Sequence, residues 1–226
     1  MPINFSLAPF AKVSDVFCET GTFHGDGIIS AIDAGFKKIA SVEISKVIQD
    51  IAKNRVSEVL QSKSADIDFI LGDSEEKIVS LIQFAKKNNS QNPVFWLDAH
   101  THHFEDGTVT DGKACPLLSE ITAINNAFSG EAILLIDDLR IIDAMATPPH
   151  GKLNRLRAAS NALMNPDALV SMFKPGWGKS VNLLTVMRLA SDPMKVSYKL
   201  LDGIEPMDVL CVYPGGLHEA LFGQSS

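Results

Sequence analysis

The feature that most restricts the fold of this chain is a regular alternation of two kinds of segment. Short runs that are apolar throughout, such as Val94–Leu97 and Ala132–Ile136, alternate with longer segments whose apolar residues recur every three or four positions. A strand with no polar alternation is covered on both faces, as in parallel sheets whose crossover helices pack on either side. The alternation therefore predicts an α/β fold.

The predicted elements follow one another as strand and helix units along most of the chain. The predicted strands are Asp15–Glu19, Ile39–Glu43, Asp68–Leu71, Val94–Leu97 and Ala132–Ile136. The predicted helices are Gly27–Phe36, Val47–Leu60, Ser74–Lys87 and Leu117–Phe128. A short turn-rich link joins two further predicted strands, Val196–Leu201 and Val209–Tyr213. We expect a Rossmann-like, doubly wound and mostly parallel sheet that ends in a C-terminal antiparallel hairpin.

Size, composition and charge narrow the class of protein. The 226 residues are 46% apolar and 21% charged, which suits one compact domain over residues 1–226. Three scattered cysteines do not form a disulfide framework, and there is no signal-peptide pattern and no run of about 18 apolar residues. We therefore expect a cytoplasmic protein without a membrane span. A formal charge of -7 disfavours nucleic acid as a partner, because it repels phosphate backbones.

Acidic residues close each of the first five predicted strands. In an open α/β sheet, ligands bind outside the carboxyl ends of the strands, so these side chains are the first candidates for a site. They are Glu19, Glu43, Asp73, Asp98 and the pair Asp137 and Asp138. A structural role is the alternative for each one, since Asp is a favoured helix N-cap and Asp73 to Glu76 has the sequence of a capping box.

The segment from Glu19 to Gly27 is a glycine-rich turn from the first strand into a helix. Glycines let the backbone approach a ligand, and the amino end of the helix can bind a carboxylate. The spacing G-x-x-x-G-x-G differs from the dinucleotide fingerprint G-x-G-x-x-G, and Glu19 and Asp26 would repel a pyrophosphate. The same charges favour a ligand with an ammonium and a sulfonium group, although Gly21 could serve only to shape a tight turn.

Two later strand ends favour an adenosine ligand. Glu43 lies roughly two dozen residues after Glu19, where an acidic side chain can accept hydrogen bonds from both hydroxyls of a ribose. Asp73 could accept a hydrogen bond from the exocyclic amine of adenine, and Ser74 could donate one from its backbone or hydroxyl.

Seven motifs resemble those of the class I S-adenosylmethionine-dependent methyltransferases: C-E-T-G-T-F-H-G-D-G, S-V-E-I-S, L-G-D-S, F-W-L-D-A-H, C-P-L-L-S-E-I, L-L-I-D-D-L-R and D-V-L-C-V-Y-P. More narrowly, they are similar to a branch near the metal-dependent O-methyltransferases that act on sugars and small molecules. The resemblance runs from Val16 to Pro214, is specific in the first half, and carries no functional motif between Ile141 and Lys195.

The resemblance implies a seven-stranded sheet, S-adenosylmethionine as the cofactor, and a small-molecule or sugar acceptor that enters above the fourth and fifth strands. It implies cofactor contacts by Glu19, Gly21, Gly25, Glu43, Asp73 and Asp98. The neighbouring residues that complete the predicted cofactor-binding set are Thr20, Thr22, Ile44, Gly72 and Ser74.

Asp98, Asp137 and Asp138 form a second predicted constellation. Three clustered carboxylates repel one another unless they are protonated or bridged by a cation, and oxygen ligands favour Mg²⁺ or Ca²⁺. The resemblance implies such an ion, held by one Asp after strand four and a pair after strand five. A metal would lower the pKa of the acceptor hydroxyl, with Asp98 and His100 as the predicted catalytic residues. The alternative is that Asp137 caps a helix while Asp138 pairs with Arg140 or a lysine.

Three other classes of function compete with methyl transfer. Asp98, His100, His102 and His103 match the D-x-H-x-H of zinc-dependent hydrolases, although that motif belongs on the first strand of a β/α barrel. A nicotinamide-dependent oxidoreductase and a domain that only binds a nucleoside are the others. We also expect residues 101–114 to form a loop that closes over the site, and residues 183–189 to form either core or a homodimer contact.

Overall fold

The computed structural model describes residues 3–99, 116–139 and 196–223. Seven strands lie in these ranges: β1 (Val16–Thr20), β2 (Lys38–Glu43), β3 (Asp66–Leu71), β4 (Val94–Leu97), β5 (Ile133–Ile136), β6 (Val196–Leu201) and β7 (Val209–Pro214). The helices are α1 (Ala8–Ala11), α2 (Asp26–Ala34), α3 (Lys46–Leu60), α4 (Ser74–Lys87), α5 (Leu117–Phe128) and α6 (His218–Phe222), with a 3₁₀ turn at Gly215–Leu217.

The seven strands form one sheet in the order β3-β2-β1-β4-β5-β7-β6. β1 to β5 are parallel, whereas β7 runs antiparallel to β5 and β6 runs antiparallel to β7. The carboxyl ends of β1 to β5 therefore share one rim with the amino end of β7. The predicted mostly parallel, seven-stranded sheet with a C-terminal antiparallel hairpin is confirmed.

Apolar side chains cover both faces of the sheet. In β4, Phe95 packs in a cluster with residues of α4 and α5, while its neighbour Trp96 packs in a second cluster with residues of α1, α2 and α6. Successive side chains of a strand point to opposite faces, so a strand buried on both sides has to be apolar at every position. This is why the short apolar runs of the sequence form the central strands.

The predicted helix and strand bounds agree with the structure to within a few residues. The edge strand β3 begins two residues before its prediction, at Asp66, because it pairs on one side only and its exposed positions accept polar side chains. None of the helices in the described ranges has the length and apolar character needed to cross a lipid bilayer. Residues 101–114 and 183–189, for which we predict a closing loop and a core or dimer segment, lie outside the described residues.

Candidate functional site

The glycine-rich loop between β1 and α2 is fixed by the backbone of its neighbours. Gly21 and Thr22 both donate their N–H to the carbonyl oxygen of Val42 in β2, at 3.0 and 3.1 Å. Gly21 has φ +83°, and a Cβ there would lie 2.8 Å from the carbonyl oxygen of Asp98. Gly25 also has a positive φ, +84°, and precedes the first residue of α2. Both glycines are therefore required by the shape of the loop.

Glu43 ties this loop to the next one. Its Oε2 accepts a hydrogen bond from the backbone N–H of Phe23 at 2.8 Å, and its Oε1 accepts one from the N–H of Ser45 at 3.0 Å. Burial raises the pKa of Glu43, while the N–H groups of Ser45, Phe23 and Ile44 act in the opposite direction. A carboxylate has about four acceptor positions, so Glu43 can hold both loops and still accept from a ligand.

Glu19 lies at the end of β1, below the rim. Its side chain is 1% exposed, and its Oε1 accepts a hydrogen bond from Ser41 Oγ at 2.7 Å. Its Oε2 fills the space beside Gly27, where a Cβ would lie 2.0 Å away. Burial raises the pKa of Glu19 to about 8, and the charges of Asp98 and Glu43 add to this effect. In the described structure, Glu19 thus supports the junction of β1, β2 and α2.

The turn after β3 contains three predicted cofactor residues. Gly72 donates its N–H to the carbonyl oxygen of Glu43 at 2.9 Å. Asp73 is the N-cap of α4, and its Oδ1 accepts from the N–H of Glu75 at 2.9 Å, so the capping role considered from sequence is confirmed. Ser74 is the first residue of the helix and is buried. Ile44, a predicted cofactor residue in the turn after β2, is 47% exposed. The proposed contacts of these residues with adenosine stay predictions.

A cluster of three buried aspartates lies at the ends of β5 and β7. Ligand atoms of Asp137, Asp138 and Asp208 all lie within 4.8 Å of one another. Burial raises the pKa of Asp137 to about 7, and the charges of Asp98, Asp138 and Asp208 raise it further. Asp138 has φ +58° and donates its N–H to Asp137 Oδ1 at 2.8 Å. The structure therefore brings Asp137 and Asp138 together, as the sequence predicts.

Asp208 is a residue that the sequence analysis missed. Ile136 pairs with Leu210 in the antiparallel register of β5 and β7, which places Asp208 beside Asp138. The N–H of Leu139 donates to the carbonyl oxygen of Asp208 at 3.0 Å. The signal was present, because an antiparallel final strand begins at the rim where the parallel strands end.

Asp98 lies near the three grouped aspartates, whereas the histidines predicted for the site are outside the described residues. Asp98 follows β4, donates its N–H to the carbonyl oxygen of Thr20 at 3.2 Å, and lies near enough to raise the pKa of Asp137. It is not one of the three grouped aspartates. His100, His102 and His103 lie outside the described residues, as does Arg140. The zinc hydrolase alternative finds no support in the described fold, which is an open sheet and not a β/α barrel.

Comparisons with known proteins give a consistent fold. No protein-family model matches the sequence, and no curated protein matches it. Among solved structures, the O-methyltransferase TomG from Streptomyces achromogenes in complex with SAM is 12% identical; the match covers 92% of this chain and 77% of that one, with a TM-score of 0.51. The O-methyltransferase from Bacillus cereus in complex with SAH is 12% identical over 92% of this chain and 78% of that one, with a TM-score of 0.50. This chain therefore has the α/β fold of these O-methyltransferases, and the resemblance seen in its motifs is confirmed at the level of the fold.

Proposed function

We propose that this protein is an S-adenosylmethionine-dependent methyltransferase that transfers the methyl group to an oxygen of a small molecule or sugar. The observation that carries the proposal is the mutual effect of the rim carboxylates. Asp98 and Glu43 raise the pKa of Glu19, and Asp98 raises the pKa of Asp137. A ligand that brings positive charge to this rim relieves the repulsion.

The charge at the rim favours a sulfonium nucleoside over a dinucleotide. S-adenosylmethionine carries an ammonium and a sulfonium group, and its single carboxylate can bind at the amino end of α2. A pyrophosphate would bring two negative charges next to Glu43, which is 5% exposed and whose pKa is already raised by burial. The electrostatics therefore disfavour a nicotinamide-dependent oxidoreductase.

The geometry of the loops supports an adenosine ligand. Gly21 is packed on the backbone of Asp98, and Glu43 holds the glycine-rich loop and the turn before α3 in one arrangement. The exposed Ile44 lies directly after Glu43 and offers an apolar surface to a base. We infer that Glu43 accepts from the ribose hydroxyls and that Asp73 and Ser74 contact the adenine.

The three grouped aspartates fit a divalent cation. Their donor atoms are carboxylate oxygens only, which hard ions such as Mg²⁺ and Ca²⁺ prefer, and they are buried close together. Asp137, Asp138 and Asp208 would hold the ion, and Asp137 would lose its proton on binding. Such an ion would supply a lower pKa for the acceptor hydroxyl.

Methyl transfer demands mainly the alignment of the acceptor oxygen, the methyl carbon and the sulfur, so few catalytic groups are needed. We propose Asp98 and His100 for these roles. Asp98 joins the two parts of the site, since its backbone packs on Gly21 and its carboxyl group lies near Asp137. His100, two residues later in the chain, would assist deprotonation of the acceptor.

The cofactor part of the proposal is tested by binding of S-adenosylhomocysteine. We expect it to raise the melting temperature of the wild-type protein, whereas NADH does not. Glu43→Gln keeps the shape of the side chain but removes its charge, and should weaken binding about tenfold in calorimetry, a loss of about 1.4 kcal/mol. Glu58→Gln, on the exposed side of α3, is the matched control. Stabilisation by NADH and not by S-adenosylhomocysteine would refute the assignment.

The cation part needs a separate measurement. Asp137→Asn should abolish binding of Mg²⁺ in calorimetry and the methylation of a hydroxyl acceptor, while the affinity for S-adenosylhomocysteine changes little. Asp68→Asn, at an exposed position on β3, serves as the control. Turnover that is the same with and without a chelator would remove the metal from the proposal but leave the cofactor assignment intact.

A further inference from the structure

The buried carboxyl group of Glu120 belongs neither to the acidic rim nor to the apolar core. The carboxyl group of Glu120 on α5 lies close to the hydroxyls of Thr20, at the end of β1, and of Ser74, at the start of α4. Glu120 is 1% exposed, Thr20 is fully buried, and Ser74 is 7% exposed. A fully buried Glu is rare in proteins unless it is paired or serves a function.

The surroundings of this group are apolar. Leu117, Ile121 and Ile124 of α5 belong to the same core cluster as Ile78 and Leu81 of α4. Thr20 Oγ1 and Glu120 Oε1 are buried without a hydrogen bond of good geometry to any residue in the described ranges. Unsatisfied buried polar atoms are costly, so a Leu at position 120 would pack here at a lower cost than the acid.

The position of the group links the two halves of the proposed cofactor site. Thr20 directly precedes Gly21, which begins the glycine-rich loop, and Ser74 directly follows Asp73, the N-cap of α4. These two segments follow different strands, β1 and β3, and would contact different ends of the cofactor. The carboxyl group of Glu120 interacts with the side chains of both Thr20 and Ser74.

We propose that Glu120 is a positioning residue for the cofactor, whose carboxyl group holds the end of β1 and the first turn of α4 at the separation that the bound nucleoside needs. This inference rests on the proposed function. Glu120 does not touch the cofactor in this arrangement, and it acts through the hydroxyls of Thr20 and Ser74. A carboxylate can accept from both hydroxyls at once, whereas a protonated carboxyl group has to use one of its oxygens as a donor.

The charges around Glu120 favour the protonated form. Burial raises the pKa of Glu120 to about 7, the charges of Asp73 and Glu75 on α4 raise it further, and the hydroxyls of Ser74 and Thr20 lower it. Because both hydroxyls lower the pKa, they bind the carboxylate more strongly than the neutral acid. We therefore expect the positioning effect of Glu120 to strengthen between pH 6 and pH 8.5.

Two variants separate positioning from simple packing. Glu120→Gln keeps a donor and an acceptor at every pH, and Glu120→Leu keeps the volume but neither group. The dissociation constant of S-adenosylhomocysteine is measured by calorimetry from pH 6 to pH 8.5, together with urea unfolding of each protein. Glu131→Gln, at an exposed position after α5, is the control.

We expect Glu120→Leu to unfold at the same or a higher urea concentration than wild type and to bind S-adenosylhomocysteine at least tenfold more weakly. Glu120→Gln should bind as wild type does at pH 6 and several-fold more weakly than wild type at pH 8.5. The ratio of the dissociation constants of Glu120→Gln and wild type at each pH is independent of the titration of Glu19 and Glu43, because both proteins contain these residues. If Glu120→Leu fails to fold, the pH series of Glu120→Gln decides alone.

Binding by Glu120→Leu within twofold of wild type would overturn the inference, as would a ratio of Glu120→Gln to wild type that does not change with pH. In both cases the wild-type protein still binds, and the proposed function survives. If the wild-type protein does not bind S-adenosylhomocysteine at any pH, the proposed function fails and this inference fails with it.

Discussion

Replacing Gly27 with alanine tests whether the carboxyl group of Glu19 is held where the structure has it. A Cβ at position 27 would lie 2.0 Å from Glu19 Oε2 and 3.2 Å from its Cδ, whereas Cβ atoms do not approach other heavy atoms within 3.0 Å. The carboxyl group would have to move by about 1 Å. Such a movement would break the 2.7 Å hydrogen bond from Ser41 Oγ to a carboxyl group that is 1% exposed.

Gly27→Ala is expected to lower the free energy of unfolding for two reasons. Overpacking of a buried site costs about 1 to 3 kcal/mol, and the loss of a buried hydrogen bond costs about 1 kcal/mol more. Gly27 lies near the start of α2, so the higher helix propensity of alanine offsets little of this. We predict that Gly27→Ala lowers the free energy of unfolding by roughly 2 to 4 kcal/mol, which corresponds to a fall in Tm of roughly 5 to 15 °C in a chain of this size.

Urea unfolding at neutral pH measures this loss as a lower midpoint with an unchanged m-value. Gly216→Ala is the matched control, because a Cβ there meets nothing within 4 Å, and it should stay within about 0.5 kcal/mol of wild type. The double variant Glu19→Asp with Gly27→Ala shortens the acid and makes room for the methyl group, so it should show a favourable coupling of at least about 1 kcal/mol. A Gly27→Ala protein as stable as wild type would show that Glu19 does not occupy this position.

Two further predictions concern the same rim. Asp73→Ala should destabilise the protein by about 1 kcal/mol in urea unfolding through the lost N-cap, and Asp73→Asn should keep most of this stability; equal losses in both variants would contradict the capping role. Because burial raises the pKa of Glu19 from 4.5 to about 8, its contribution to stability is complete below pH 4.5 and is lost as the pH rises towards 8. Glu19→Gln should therefore lose less stability than wild type between pH 5 and pH 8, and parallel pH curves for the two proteins would argue that Glu19 is ionised throughout.

Much of the fold could be predicted from the sequence because its signal is local. The runs at β4 and β5 are apolar at every position, and only a strand buried on both faces requires that. The position of Asp137 and Asp138 follows directly, since they come after β5. Glu120 could not be predicted, because its helix is otherwise an ordinary amphipathic one and the burial of this face depends on how α4 packs against it.

The role of Glu43 shows a second limit of sequence reasoning. An acidic residue at the end of β2 indicates a ligand contact, yet both of its oxygens accept backbone N–H groups, from Phe23 and Ser45. Phe23 has φ +46°, so its N–H direction is set by a loop conformation that the spacing of the glycines does not reveal. The same carboxylate can therefore shape the loop and bind the ligand, and no pattern in the sequence separates the two roles.

The acidic rim links stability to ligand binding. Burial raises the pKa values of three carboxyl groups, those of Glu19, Asp137 and Glu43. Ionising these groups in the folded, ligand-free protein therefore costs free energy. A cationic ligand lowers that cost, and the free energy recovered appears as additional affinity and as stabilisation of the folded state. The rim is thus preorganised at the expense of stability in the ligand-free protein. For this reason Glu19→Gln should raise the melting temperature of the free protein at pH 8 while it reduces the further rise that S-adenosylmethionine, whose sulfonium is positively charged, produces.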